Sequence, residues 1–423
     1  MGILVLVGTL FITLIIGMPI AIGIGISSIV YIIVMEEASF LIVPQMVANA
    51  LDSYNVIAIP FFILAAQIMN RGGVTDRLMN FASRLIGHFK GGLAHVNILT
   101  SMLFAGMSGS AVADSAGLGH ILIPNMTKKG YDPAYSAAVT AASSTIGPII
   151  PPSVPIVIYG ILAEASIGKL FLAGAVPGFV MGIAMIILSA YIAYQKDYPK
   201  EAKPTFIEIV KTAISVIPAL LTPVIILGGM WGGVFSPTEA AAVAVGYALL
   251  QGFAMRDLKL ADLWDAVKEA TIYSAIIMLI VAFANLFGWI LTTEQVPVRF
   301  SEWIFTISEN KIVILLIINL FLLVLGCVME ILAIMLMTVP VFLPLVVELG
   351  LDPVHFGIIM VLNLMIGLLT PPFGLSLYIA QDVAGVSYSR AVRFIIPYIA
   401  LMLVLLMVIT FVPEFVMFLP NLI

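Results

Sequence analysis

Long apolar stretches alternate with short polar, glycine- and proline-rich breaks from one end of the chain to the other. Many of these stretches are long enough to cross roughly 30 Å of hydrocarbon as helices. The pattern predicts two short spans over 2–17 and 18–34, one over 55–70, and longer ones over 133–165 and 170–195. A second series follows over 212–231, 237–254, 270–292, 353–386 and 389–417. Residues 74–89 read differently. Val74, Leu78, Phe81, Leu85 and Phe89 recur at helical spacing after Thr75 and Asp76, between glycine pairs, as in an amphipathic helix lying in the membrane interface. A similar arm is expected over 297–309. The apolar stretch between Lys90 and Lys128-Lys129 has basic ends and a small-residue centre, Gly106-Met107-Ser108-Gly109-Ser110, and predicts a helical hairpin that enters and leaves on one side. A second hairpin is expected to turn near Gly326.

The two series are related by a constant offset of 220 residues. At that offset Gly106 meets Gly326 and Pro124 meets Pro344, while Gly130-Tyr131-Asp132-Pro133 meets Gly350-Leu351-Asp352-Pro353. Ile146-Gly147 meets Ile366-Gly367, and Pro151-Pro152 meets Pro371-Pro372. Leucine and isoleucine matches are cheap in an apolar chain; matches at glycine, proline and aspartate are not, because these residues punctuate helices.

Composition agrees with the pattern. Hydrophobic residues make up 62% and charged residues 10% of the 423 positions, too few charges to cover a water-soluble fold. The opening stretch, Gly2 to Val34, has no basic leader or cleavage site and reads as membrane helix. One cysteine, Cys327, leaves no disulfide framework or thiolate cage, and the four histidines show no metal-ligand spacing. Fifteen of the 18 basic residues fall in five clusters: 71–90, 128–129, 196–211, 256–268 and 390–393. By the positive-inside rule these are cytoplasmic, and the connections with Glu36, Glu37, Asp52, Glu294, Glu302 and Glu309 face outward. Basic 71–90 corresponds to acidic 291–310, so the halves are expected to have opposite topology. Trp231, Trp289 and Trp303 fall near predicted membrane boundaries.

The expected architecture is an all-α polytopic membrane protein of two inverted repeats, with about ten spans plus two re-entrant hairpins. The first repeat is 1–195, with a scaffold and arm at 1–89 and a hairpin and transport helices at 90–195. A cytoplasmic linker, 196–211, leads to the second repeat, 212–423, divided into 212–310 and 311–423.

The chemistry concentrates at the two Gly-x-x-x-Pro-Pro motifs. Paired prolines end a helix, and free backbone groups at mid-span are tolerated only inside protein or beside a water-filled cavity. An unwound segment exposes carbonyls to a cation, and the half-helix after it presents amides to an anion. A simple proline kink is the bland alternative, weakened by the symmetric recurrence. Pairing each hairpin tip with the break of its own half gives two candidate Na⁺ sites: Ser108, Gly109, Ser110, Ser143, Gly147 and Pro151, and then Gly326, Glu330, Gly367, Thr370 and Pro371. Ser144, Pro152, Ser153, Asp114, Asn363 and Pro372 are candidates for contact with the substrate between them. For any one serine, helix packing is an equal reading, and Asp114 and Glu330 serve either an ion or a helix dipole. Glu239 follows Ser236-Pro237-Thr238 as a capping box, and Asp132 and Asp352 also read as caps. His95 and His120 read as satisfied hairpin residues.

These features, above all Gly106–Gly119, Gly147–Pro155 and Gly367–Gly374, resemble the large membrane subunit of TRAP (tripartite ATP-independent periplasmic) transporters over essentially the whole chain. The resemblance implies an elevator-type fold in the bacterial inner membrane and Na⁺-coupled uptake of a carboxylate such as a C4-dicarboxylate or sialic acid. It also implies two partners, a small four-helix membrane subunit, separate from this chain, and a periplasmic substrate-binding protein. Lipid surrounds the protein, and neither nucleic acid nor a cofactor beyond the coupling Na⁺ is expected. With no phosphate loop and no nucleophile–base pattern, ATP hydrolysis and enzymatic catalysis are not expected. A stand-alone Na⁺/carboxylate symporter of the same architecture and an anion channel are the alternative functions.

Overall fold

The computed structural model describes residues 2–35 and 39–422, apart from the side chain of Ser108, so the expected outward placement of Glu36 and Glu37 lies outside the described residues. Among the described residues the chain is helical, without strands. Its first ten helices are α1 (Gly2–Ile15), α2 (Ile20–Met35), α3 (Ile42–Leu51), α4 (Ala58–Arg71), α5 (Val74–Ile86), α6 (Gly92–Ser108), α7 (Ala111–Lys128), α8 (Pro133–Ser144), α9 (Val154–Leu162) and α10 (Ile167–Lys196). The next ten are α11 (Phe206–Trp231), α12 (Pro237–Ala254), α13 (Leu260–Thr293), α14 (Val296–Ile307), α15 (Lys311–Gly326), α16 (Ile331–Glu348), α17 (Pro353–Gly367), α18 (Leu375–Ala384), α19 (Tyr388–Phe411) and α20 (Pro413–Met417).

The 220-residue offset reappears in these boundaries. α7 and α16 begin at 111 and 331 and end at 128 and 348, and α8 and α17 begin at 133 and 353. The local causes match as well. Asp132 and Asp352 cap α8 and α17 by accepting from Ala134 N and Val354 N at 2.8 and 2.7 Å, with proline at the first helical position of each. Ser236 and Glu239 form the expected capping box at the start of α12. His95 and His120 each bond a carbonyl of their own hairpin, Lys90 O and Ala116 O.

Five helices, α10, α11, α13, α16 and α19, are each long and apolar enough to cross a membrane, and shorter apolar helices accompany them. α14 and α15 meet at 120°, so the arm lies across the direction of the hairpin it leads into. The chain is a multi-pass membrane protein. Some boundaries differ from expectation. The short α3 had no predicted counterpart, and α13 starts ten residues before 270. α11 takes in the end of the expected linker, because Thr205 and Glu208 form a capping box there.

Packing sorts the helices into two neighbourhoods. α4 lies against α12 and α13, and α13 against α2 and α3. In the second, α8 packs on α7, α18 and α19, and α17 on α15 and α19. All seven ion pairs among the described residues use basic side chains of the five clusters. They include Arg71 with Asp265 and Glu269, Arg77 with Asp257, and Arg390 with Asp132. Residues 197–205 fold back on the hairpin through Lys90–Asp197 and Lys129–Glu201 ion pairs, with Tyr198 stacked on Tyr131 and Tyr135. At the opposite end of the bundle the Tyr31 hydroxyl donates to Glu294 at 2.8 Å.

Candidate substrate and ion site

Both motifs interrupt their helices. α8 stops at Ser144 and α9 resumes at Val154; α17 stops at Gly367 and α18 resumes at Leu375. The Pro151–Pro152 and Pro371–Pro372 peptide bonds are both cis. Ser153 caps α9, accepting from Ile156 N and donating to Pro148 O.

Each hairpin tip rests on the break of its own half. Gly109, between α6 and α7, has φ +60°, and a Cβ there would lie 3.1 Å from Pro152 O and 3.2 Å from Val154 N. In the second half, a Cβ on Gly367 would fall 2.5 Å from the carbonyl carbon of Gly326, so the two backbones touch and no side chain fits between them. Gly147 has a different neighbour. A Cβ there would lie 2.6 Å from a carboxylate oxygen of Asp114, which is fully buried in the first turn of α7.

After each break the chain changes partners. α9 packs on α16 and α17 of the second half, and α18 packs on α7 and α8 of the first. Both tips therefore meet the same space, a cavity of about 490 Å³. Gly109–Ala113 at the start of α7, Val154-Pro155 at the start of α9 and Glu330–Leu332 at the start of α16 line it, with Pro148 and Leu368 from the breaks. Its far wall is Gln67 and Asn70 of α4, Thr75 and Asp76 of α5, and Tyr273 and Ile277 of α13. Three helix N-termini thus border one cavity, each bringing partial positive charge and amide donors. Among the described residues, Asp76 and Glu330 are the charged side chains in the lining, which contains no lysine, arginine or histidine.

The predicted site residues separate into three groups. Gly109, Ser110 and Glu330 line the cavity; Ser110 and Glu330 are the N-caps of α7 and α16. A second group lies behind the cavity in buried polar networks. Ser143 Oγ accepts from Ser101 and lies 3.1 Å from Asn97 Oδ1, tying α8 to α6. Ser144 accepts from Ser115 of α7, and Asn363 donates to Asn319 O and Oδ1, with Asn319 donating in turn to Thr410. Asp114, Gly147, Pro151, Pro152 and Ser153 stand with this group around the first break, and Gly326, Gly367 and Thr370 around the second, where Thr370 Oγ1 donates to Ile366 O, while Pro371 is exposed. Pro372 lines a separate cleft with Phe373 and Tyr378. Ser108 ends α6, and its side chain is outside the described residues. The far wall was missed by sequence reasoning. Its residues carry no motif, and only packing of α4 and α13 onto the hairpins brings them to the site.

A helical bundle whose two interrupted helices and two hairpin tips enclose one cavity within apolar spans defines a membrane transport protein. The family model of the tripartite ATP-independent periplasmic transporter, DctM component, matches residues 7–415. The chain is 41% identical over 407 residues to the sialic acid TRAP transporter large permease protein SiaM of Vibrio cholerae, covering 96% of this chain and 95% of that one. It is 40% identical over 371 residues to the C4-dicarboxylate TRAP transporter large permease protein DctM of Pseudomonas aeruginosa, covering 88% and 87%. Among solved structures, the YdaH transporter of Alcanivorax borkumensis shares the fold at TM-score 0.62 and 14% identity, over 87% of this chain and 86% of that one. The chain belongs to the DctM family and is a TRAP transporter large permease, not an enzyme.

Proposed function

We propose that this permease imports a small carboxylate across the bacterial inner membrane, coupled to Na⁺, in an elevator cycle. The observation that carries the reading is the cavity bordered by the N-termini of α7, α9 and α16, which offers amide donors and positive dipole ends in a low-dielectric setting without a basic side chain. The relatives named for sialic acid and C4-dicarboxylate transport support the same substrate class. The tips resting on the breaks support the two Na⁺ positions, since glycine at the tip, and in the second half at the break as well, lets backbone oxygens approach an ion closely.

In this reading the halves are inverted and the chain makes about ten crossings plus two hairpins. The end carrying the five basic clusters is cytoplasmic. The cavity runs from both tips to the α4–α5 turn at Gly73–Asp76, on that same side, which supports reading this arrangement as inward-facing. The hairpins, α8–α10 and α17–α20 form the moving part; α1–α5 and α11–α14 form the scaffold. A small four-helix membrane subunit extends the scaffold, and a periplasmic binding protein delivers the substrate.

Reconstitution into proteoliposomes with and without these partners tests the proposal. Carboxylate uptake driven by an inward Na⁺ gradient and dependent on the binding protein is expected. Uptake by the chain alone identifies a stand-alone symporter, unsaturable flux identifies a channel, and uptake indifferent to Na⁺ refutes the coupling.

A further inference from the structure

We propose that Glu330 makes the cavity selective for substrates with a single carboxylate and hydrogen-bond donors, hydroxyl or ammonium, at their other end. The inference rests on the carboxylate-transport reading and narrows its substrate class. Positions 110 and 330 are equivalent at the 220-residue offset, and both are N-caps lining the cavity, but one is serine and the other glutamate. Glu330 Oε2 accepts from Leu332 N and Ala333 N at 2.9 and 3.3 Å. The start of α16 is thus already covered, on its cavity side, by a carboxylate of the protein itself, while the cavity side of the start of α7 carries an uncharged hydroxyl and its acidic residue, Asp114, is buried behind it.

The consequence for a ligand is directional. Ionised carboxylates only accept hydrogen bonds, so the Glu330 end of the cavity asks for donors. With no lysine, arginine or histidine in the lining, no basic side chain there offsets the charge of Glu330 toward a second anionic group, and the amides at the start of α16 are already taken up by Glu330 itself. The other carboxylate of the lining, Asp76, lies at the far wall on α5 and adds to the same bias. Asp114, buried behind the first break against Gly147, is not part of the lining. A monocarboxylate places its anion at the α7 and α9 ends and its donors at Glu330. A dicarboxylate of similar length must put its second charge against a like charge, the repulsive element that specificity requires.

Direct binding bypasses the selection made by a binding protein. The permease with its small subunit, in lipid nanodiscs with Na⁺, is titrated with N-acetylneuraminate, gluconate and succinate, for the parent, Glu330→Gln and Glu330→Ser. Both replacements keep an oxygen acceptor for the α16 amides. The parent is expected to bind its better monocarboxylate at least ten-fold more tightly than succinate. Each variant is expected to cut that ratio at least five-fold, chiefly through tighter succinate binding. A parent that binds succinate as tightly as either monocarboxylate, or a ratio unchanged in the variants, overturns the role of Glu330 and leaves carboxylate transport standing. Absence of Na⁺-dependent binding of all three probes overturns the carboxylate reading itself. If a variant does not elute as a monodisperse complex, the parental ratio and the other variant decide.

Discussion

Gly367→Ala is the substitution whose effect the structure specifies most narrowly. A Cβ at 367 would lie 2.5, 2.6 and 2.8 Å from the carbonyl carbon, Cα and carbonyl oxygen of Gly326, all backbone atoms. No rotamer change relieves this. Restoring ordinary contact at 3.4 Å moves the second hairpin tip about 0.9 Å away from the break, the difference between 3.4 and 2.5 Å. Overpacking of this kind costs about 1–3 kcal/mol. If the same surfaces hold a Na⁺, a displacement of that size takes ligands off the ion, and the cost appears in ion affinity as about a 5- to 150-fold loss. The assay is the Na⁺ concentration giving half-maximal substrate binding in nanodiscs, alongside the thermal midpoint. Gly246→Ala is the control. Nothing lies within 4 Å of its added carbon, and alanine there is neutral or stabilises α12 by about 0.5–1 kcal/mol. A Gly367→Ala permease with the parental Na⁺ requirement and midpoint refutes the argument that tip and break act as one surface.

Three further outcomes follow from other parts of the structure. Gly109→Ala combines φ +60° with a carbon 3.1 Å from Pro152 O, so a loss of about 1 kcal/mol or more in stability is expected, with weaker carboxylate binding; parental values for both remove the first tip from the site. Asn363→Leu deletes two donor bonds to Asn319 and leaves buried polar groups unpaired, an expected loss of about 1–3 kcal/mol read as a lowered thermal midpoint, and an unchanged midpoint shows the network holds nothing. The Lys90 ammonium bonded to Asp197 holds that carboxyl below its usual range, so the part this ion pair contributes to the docking of 197–205 is complete above the ordinary aspartate value of about 3.9 and is lost only as pH falls through the lower folded value. Hydrogen exchange in this segment should therefore be flat from pH 7 to 5, after correction for the intrinsic rate, and rise below about pH 4; loosening near pH 6 contradicts it.

Helix punctuation made most of the local structure legible. Aspartate before proline started α8 and α17 and the capping box started α12, because each acts on backbone groups within a few residues, and the paired prolines lie in the breaks that follow α8 and α17. The turn between α6 and α7 was readable for a related reason, because glycine and short polar residues interrupt the apolar stretch there, and the turn between α15 and α16 followed from it by the 220-residue offset. Boundaries failed at α3, which has no such signal, and at α13, whose start is marked by Asp262 accepting from Lys259 N without a serine or threonine cap to announce it. The site was half legible. Gly109, Ser110 and Glu330 were expected and line the cavity, whereas Ser144 and Asn363 are polar for their neighbours in adjacent helices.

The sequence by itself determined the membrane class, the 220-residue offset and the positions of both breaks, since hydrophobicity, proline and glycine act locally and need no partner to be read. Tertiary structure alone decided that α9 docks on the second half and α18 on the first, and so that both tips share one cavity. It also decided which polar side chains face that cavity and which face a neighbouring helix. In helices apolar on nearly every side, no polar stripe marks an inner face, and orientation is set by close packing of small residues against backbone.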